Sequence, residues 1–111
     1  MIDNTVTGSK PNIEYYKMGG GERMKVPYDI EEISPGIYSW RELDMKCINF
    51  NYGGLVSEIV GISYSDSEMT AVINNYLLDQ DDEDTKREFM EMQECRKKAK
   101  EIARRILEDN K

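Results

Sequence analysis

The chain has 111 residues, which is enough for one domain but not for two of ordinary size. Its 22 acidic and 15 basic residues give a formal net charge of −7, which argues against a protein that mainly coats nucleic acid or an anionic membrane. The sequence contains no histidine, and it therefore lacks the usual general base and the commonest metal ligand. We expect a protein that is not an enzyme and that uses no cofactor and no metal ion.

Residues 1–27 are polar, with two prolines, a run of three glycines at 19–21 and only scattered apolar side chains. This composition predicts a flexible N-terminal arm, which leaves residues 28–111 as a single small domain. The beginning of the chain shows none of the features of a signal peptide, and no stretch approaches the roughly 18 apolar residues of a membrane span.

Residues 28–52 have the pattern of a short β region. Ser34-Pro35-Gly36 is a turn signal, and the apolar residues from Ile37 to Trp40 suit a short strand. The stretch from Met45 to Asn51 alternates between its two sides and predicts a second strand. The two strands together could form a hairpin or the edge of a small sheet.

Residues 55–62 fit two structures. The apolar residues are spaced like one face of a helix, but a looser alternation also fits a strand, and Gly61 weakens both interpretations. We predict a short helix over about 55–62.

Two further helices begin at capping boxes. Ser65 and Glu68 predict a helix over 66–78, in which the Ser65 hydroxyl accepts the Glu68 N–H and the Glu68 carboxylate reaches back to the Ser65 N–H. Thr85 and Glu88 form a second box, followed by a long apolar stripe that predicts an amphipathic helix over 85–107. The predicted fold class is therefore α+β: a short N-terminal β region followed by a helical subdomain of two or three helices, the last one long and amphipathic.

The charged clusters and the cysteines favour ordinary structural roles. The acidic run 79–84 does not fit the ligand spacing of a calcium-binding EF-hand loop. The basic residues of 96–105 suit the solvent face of a helix, since no aromatic residue lies among them. Cys47 and Cys95 have no neighbouring histidine to act as a base, and we interpret them as small, reduced core residues.

Aromatic and large apolar residues at the predicted loops and helix faces are the candidate interface. Such residues often anchor protein contacts, although in a small domain they more often form the core. The candidates are Trp40, Tyr52, Tyr64, Tyr76, Phe89 and Met92.

Several short motifs follow one another in the second half of the chain: Leu55-Val56-Ser57-Glu58-Ile59-Val60, Tyr64-Ser65, Glu68-Met69, Ala71, Glu88-Phe89 and Lys98-Ala99-Lys100. Through these motifs about half of the chain, residues 55–105, resembles small uncharacterised proteins of gut phages and prophages. In these proteins a short helix ends in a Tyr-Ser or Tyr-Thr cap, a second helix follows, and a longer helix carries an Ala-Lys repeat. The resemblance implies a phage or mobile-element origin and transfers no catalytic residue.

These patterns predict a non-enzymatic protein-interaction or assembly protein, encoded by a phage or mobile element, such as a virion or tail accessory. The alternative is an acidic inhibitor that imitates nucleic-acid charge and binds a host nucleic-acid-binding protein. The expected partner is another protein or a second copy of the chain, without a membrane and without direct nucleic-acid binding. The expected location is the cytoplasm of the host cell or the virion.

Overall fold

The structure is a computed structural model, and it describes residues 5–110. The chain forms two compact units, one ending at Asn51 and one beginning at Tyr52, which we call the sheet unit and the helical unit. The α+β class is confirmed, with a four-stranded antiparallel sheet followed by three helices, the last of them long. The division at Asn51 differs from the single domain over 28–111 that the sequence predicted.

The sheet unit contains four antiparallel strands in the spatial order β1-β4-β3-β2. Successive strands β2, β3 and β4 pair as neighbours, and β1 lies beside β4 on the other edge. A short 3₁₀ helix, Cys47–Asn49, follows the last strand. The strands are β1 (Thr5–Gly8), β2 (Glu14–Met18), β3 (Gly21–Ser34) and β4 (Ile37–Lys46).

Residues 5–27, predicted as a flexible arm, form β1, β2 and the first half of β3, and residues 1–4 of that arm lie outside the described residues. The glycine run is a hairpin turn: Gly19 and Gly20 have φ values of 65° and 115°, and they connect the paired residues Met18 and Gly21. Two consecutive positive φ values match the twist of a tight hairpin, and glycine adopts them without steric cost. Local composition misses these strands because pairing across the sheet determines them.

The β3–β4 hairpin extends past β2, which pairs only with residues 21–25 of β3. Its turn has Pro35 at the first central position and Gly36, with φ of 78°, at the second, which is the arrangement of a type II turn. The register shifts twice on the β3 side, between Tyr28 and Glu31 and again between Glu32 and Ser34. Such bulges bend and twist a ribbon.

One face of the sheet is apolar. Along the two central strands, every second residue from Met24 and from Met45 points to the same side, because directly opposite residues share a face. The buried residues on this face are Met24, Val26, Tyr28, Leu43 and Met45.

The helical unit contains α1 (Tyr52–Ser63), α2 (Asp66–Leu78) and α3 (Glu83–Asp109). Both α1 and α2 contact α3. Helix α1 is longer at its start than the predicted 55–62, while α2 covers the predicted residues. The buried residues of this unit are Leu55, Ile59 and Val60 in α1 and Met92, Ala99, Ala103 and Ile106 in α3.

The helix caps differ in detail from the predicted boxes. The Ser65 hydroxyl accepts the Glu68 N–H at 3.1 Å, but the Glu68 carboxylate lies 3.2 Å from that hydroxyl and not on the Ser65 N–H. The cap of α3 is Asp82, whose carboxylate accepts both the N–H and the hydroxyl of Thr85. The long helix therefore begins two residues before the predicted start, because a carboxylate three residues upstream caps it better than the threonine does.

Candidate functional site

Two of the six predicted interface residues are buried within the chain. Trp40 lies in β4, where its indole ring contacts Gly8 and its Nε1–H donates to Glu42 at 3.3 Å. Met92 is fully buried in α3. These two side chains therefore offer little surface to a partner.

The other four predicted residues lie in the helical unit and are more accessible. Tyr76 of α2 stacks on Phe89 of α3, with ring centroids 4.1 Å apart, and both are half-buried. Tyr52 is exposed at the start of α1, and the Arg104 guanidinium lies 5.6 Å from the centre of its ring. Tyr64 is half-buried between α1 and α2, and burial raises its pKa.

Helix α2 buries none of its residues completely. Its inner face is only half-buried, and its last two residues, Leu77 and Leu78, are 63% and 85% exposed. The helical spacing of Met69, Val72, Ile73, Tyr76 and Leu77 predicts one apolar face that includes Leu77, whereas the structure leaves Leu77 in solvent. A helix that ends in two solvated leucines presents apolar area to the surface, where such area often marks a contact site.

A second accessible surface is the end of the β3–β4 hairpin, residues 29–38, which we call the hairpin tip. Three isoleucines of this tip, Ile30, Ile33 and Ile37, are exposed. The tip carries three acids and no basic residue. Glu32 of β3 and Tyr38 of β4 lie directly opposite each other. A hydrogen bond to the Glu32 side chain raises the pKa of the Tyr38 hydroxyl.

A third accessible surface lies at the opposite end of the sheet, where β2 turns into β3 and β4 ends. We call residues 15–23 and 46–48 the turn end. Three large apolar side chains here are exposed: Tyr15, Met18 at 68% and Ile48 at 84%. The sequence analysis missed both ends. The signal available at the tip was Ile30 between Asp29 and Glu31, whereas at the turn end Met18 has a charged neighbour, Lys17, on one side only.

A polar cluster on the sheet joins three strands near the turn end. The Tyr16 hydroxyl of β2 donates to the Asp44 carboxylate of β4. Arg23 of β3 donates through Nε to Asp44 Oδ1 at 3.1 Å and through Nη2 to the Asp44 backbone carbonyl at 3.2 Å. The hydrogen bond from Tyr16, followed by those from Arg23, lowers the pKa of Asp44. This cluster holds the sheet together.

Among the described residues, the second carboxyl group whose pKa is shifted also has a structural role. The Thr85 hydroxyl and backbone N–H lower the pKa of Asp82, which caps α3. Within residues 5–110, no group of three or more acids or cysteines is arranged to hold a metal ion. Over the same residues, none of the helices combines the length and the apolar character needed to cross a membrane.

Comparison of the chain with protein-family models, with curated proteins and with solved structures gave no match.

Proposed function

We propose that this chain is a non-enzymatic protein-interaction or assembly protein. The observation that carries the proposal is helix α2, which ends in the exposed pair Leu77 and Leu78 and has no completely buried residue. An isolated helix of 13 residues is marginal in water, so its stability depends on packing. A partner that covers the C-terminal end of α2 would bury the apolar area that Leu77 and Leu78 leave exposed.

The chemistry of the titratable groups supports a role in binding. Asp44 and Asp82 both have a lowered pKa, caused by hydrogen bonds that fasten a sheet and begin a helix. A general acid needs the opposite shift, which keeps its proton near neutral pH. The chain also has no histidine to share a proton with them.

The origin and location are part of the same proposal. The resemblance of residues 55–105 to small phage and prophage proteins supports a phage- or mobile-element-encoded accessory of a virion or tail. The unpaired thiols of Cys47 and Cys95 suit the reducing cytoplasm of a host cell. A virion is the other compartment in which such an accessory would be found.

The test is co-expression of the tagged chain with the products of the genes beside its own, followed by light scattering of the purified material. We expect a stoichiometric complex with a neighbouring product or with further copies of the chain. The double substitution Leu77→Glu/Leu78→Glu should weaken it at least tenfold, since two apolar contacts are replaced by charges. A chain that stays monomeric with every neighbouring product contradicts the proposal.

The matched control is Ser67→Glu/Ala71→Glu, which adds the same two charges to exposed positions of the same helix. This variant should keep the complex. Equal loss in both variants would mean that added charge on α2, and not the two leucines, determines binding.

The second candidate is an acidic inhibitor of a host nucleic-acid-binding protein. The observation that favours it is the exposed acidic run that follows α2 and continues into the first turn of α3, where all five acids are in solvent: Asp79, Asp81, Asp82, Glu83 and Asp84. Such spacing of carboxylates could compete with phosphates for a basic groove. Competition with DNA for a basic host protein, weakening steeply as salt rises, would select this candidate.

A further inference from the structure

The two ends of the sheet unit differ in charge and share an apolar character. The hairpin tip has three acids, Asp29, Glu31 and Glu32, around its exposed isoleucines. The turn end has three bases, Lys17, Arg23 and Lys46, and one acid, Glu22, around its exposed apolar side chains. With Asp44, which pairs with Arg23, counted at the turn end, the two surfaces carry formal charges of −3 and +1.

The ends are far apart on one continuous strand. Strand β3 runs from Gly21 at the turn end to Ser34 at the hairpin tip. At ~3.3 Å per residue, β3 spans roughly 40 Å between its two ends, and the nearest residues of the two surfaces, Arg23 and Asp29, are roughly 20 Å apart. They therefore cannot meet within a single copy of the sheet, and each one faces outward.

We propose that the hairpin tip of one copy of this chain docks on the turn end of a second copy. The inference rests on the proposed function, because it names the partner of an assembly protein as the chain itself. The hairpin tip offers isoleucines among carboxylates. The turn end offers Met18 and Ile48 near cationic side chains, and Tyr15 lies on the opposite face of the sheet from Met18. Opposite potentials favour this docking and fix its direction.

Other pairings of the same chain fit less well. A tip-to-tip contact would bring three carboxylates of one copy against three of another, and like charges in contact oppose association. The basic half of α3, residues 96–105, has charge to attract the tip. Among the described residues, however, none of the exposed large apolar side chains lies in that half, and the exposed Tyr52 ring beside it already faces the Arg104 guanidinium. The basic half of α3 therefore offers a smaller apolar complement than the turn end does.

A contact between two different surfaces is heterologous, and each added copy leaves one free tip and one free turn end. Such contacts produce closed rings or open chains of copies. The sheet edges take no part in this arrangement, since the contact is made by side chains at the two ends of the strands.

The experiment measures molar mass by light scattering across a range of concentrations. The wild-type chain should rise from the monomer mass of 12.9 kDa to a multiple of it. The tip variant Ile33→Lys/Ile37→Lys and the turn-end variant Met18→Glu/Ile48→Glu should each remain monomeric. An equimolar mixture of the two should reach twice the monomer mass and no more, because one intact tip and one intact turn end remain.

Matched controls carry the same charge changes elsewhere. Ser57→Lys/Ser63→Lys adds two positive charges at exposed positions of α1, and Ile62→Glu/Met90→Glu replaces two exposed apolar residues of the helical unit with acids. Both controls should assemble like the wild type. The heterodimer formed by the mixture shows in addition that both monomeric variants remain folded.

Three results would overturn the inference: a wild-type chain that is monomeric at every concentration, tip and turn-end variants that assemble as the wild type does, or a mixture that stays monomeric while the wild type assembles. The proposed function stands or fails separately. A monomeric wild type that still forms the complex sensitive to Leu77→Glu/Leu78→Glu removes only the head-to-tail contact, and one that forms no complex removes both.

Discussion

At the scale of single residues, the cluster of Tyr16, Arg23 and Asp44 fastens three strands in a sheet with few long-range side-chain bonds. We expect Tyr16→Phe to lower the free energy of unfolding by about 0.5–1 kcal/mol, because it removes one hydrogen bond that is open to solvent. Urea unfolding followed by circular dichroism measures this change. Tyr15→Phe is the matched control in the same strand, and it should have no effect.

The same carboxyl group makes stability depend on pH. The pKa of Asp44 is lowered in the folded chain, so its contribution is present above its ordinary pKa of 3.8 and is lost as the pH falls through the lower folded value. Asp44→Asn should therefore be less stable than the wild type at pH 7, and the gap should narrow at pH 3. Melting temperatures at both pH values test this, and a constant gap contradicts it.

Gly36 is required by the turn that forms the hairpin tip. Its φ of 78° lies in the left-handed region, where a side chain costs roughly 1–2 kcal/mol. Gly36→Ala should lower the free energy of unfolding by about that amount, as measured by urea titration. Gly21→Ala is the control, since a Cβ there meets nothing within 4 Å and its φ is not positive, and it should change stability far less.

At the scale of elements, α2 depends on its cap more than α1 and α3 do. It lacks a completely buried residue, whereas both of the other helices have several. Ser65→Ala removes the oxygen that accepts the Glu68 N–H and should cost about 1 kcal/mol. We expect this loss to appear in hydrogen exchange as faster opening of α2 than of α3. Equal acceleration in both helices would show that they open together.

The helices were predictable from the sequence because their signals are local. Ser65 and Glu68 are three residues apart, and the apolar stripe of α3 repeats within one continuous segment. The strands before Tyr28 were not predictable in this way. Residues such as Glu14 and Lys25 look like loop residues until pairing across the sheet places them opposite each other.

The interface candidates show the same division between local and non-local information. The apolar stripe of α3 correctly predicted that Met92 lies on the apolar face of the helix. The stripe does not distinguish a residue buried in the core from one that contacts a partner. The exposure of Leu78 and of Ile48 depends on where neighbouring elements end, which the spacing of apolar residues does not report. The accessible surfaces therefore emerged only from the structure.

At the scale of the whole molecule, the net charge of −7 opposes close approach of two copies except where local charges are opposite. Neutrality requires seven of the 22 side-chain carboxyl groups to be protonated, and the isoelectric point of the sequence is about 4.6. Solubility measured across pH should have its minimum there, and the Ser67→Glu/Ala71→Glu variant should move that minimum to lower pH. A minimum near neutral pH would contradict this expectation.

Trp40 is the chain's single tryptophan, and it lies in the sheet unit beside Gly8. Its intrinsic fluorescence therefore reports on the surroundings of one residue of the sheet unit, while the helical far-ultraviolet circular dichroism signal comes mainly from the three helices. A single sample melted under both probes gives two unfolding curves. Coincident midpoints would show one cooperative transition, and separate midpoints would resolve the sheet from the helices without any label.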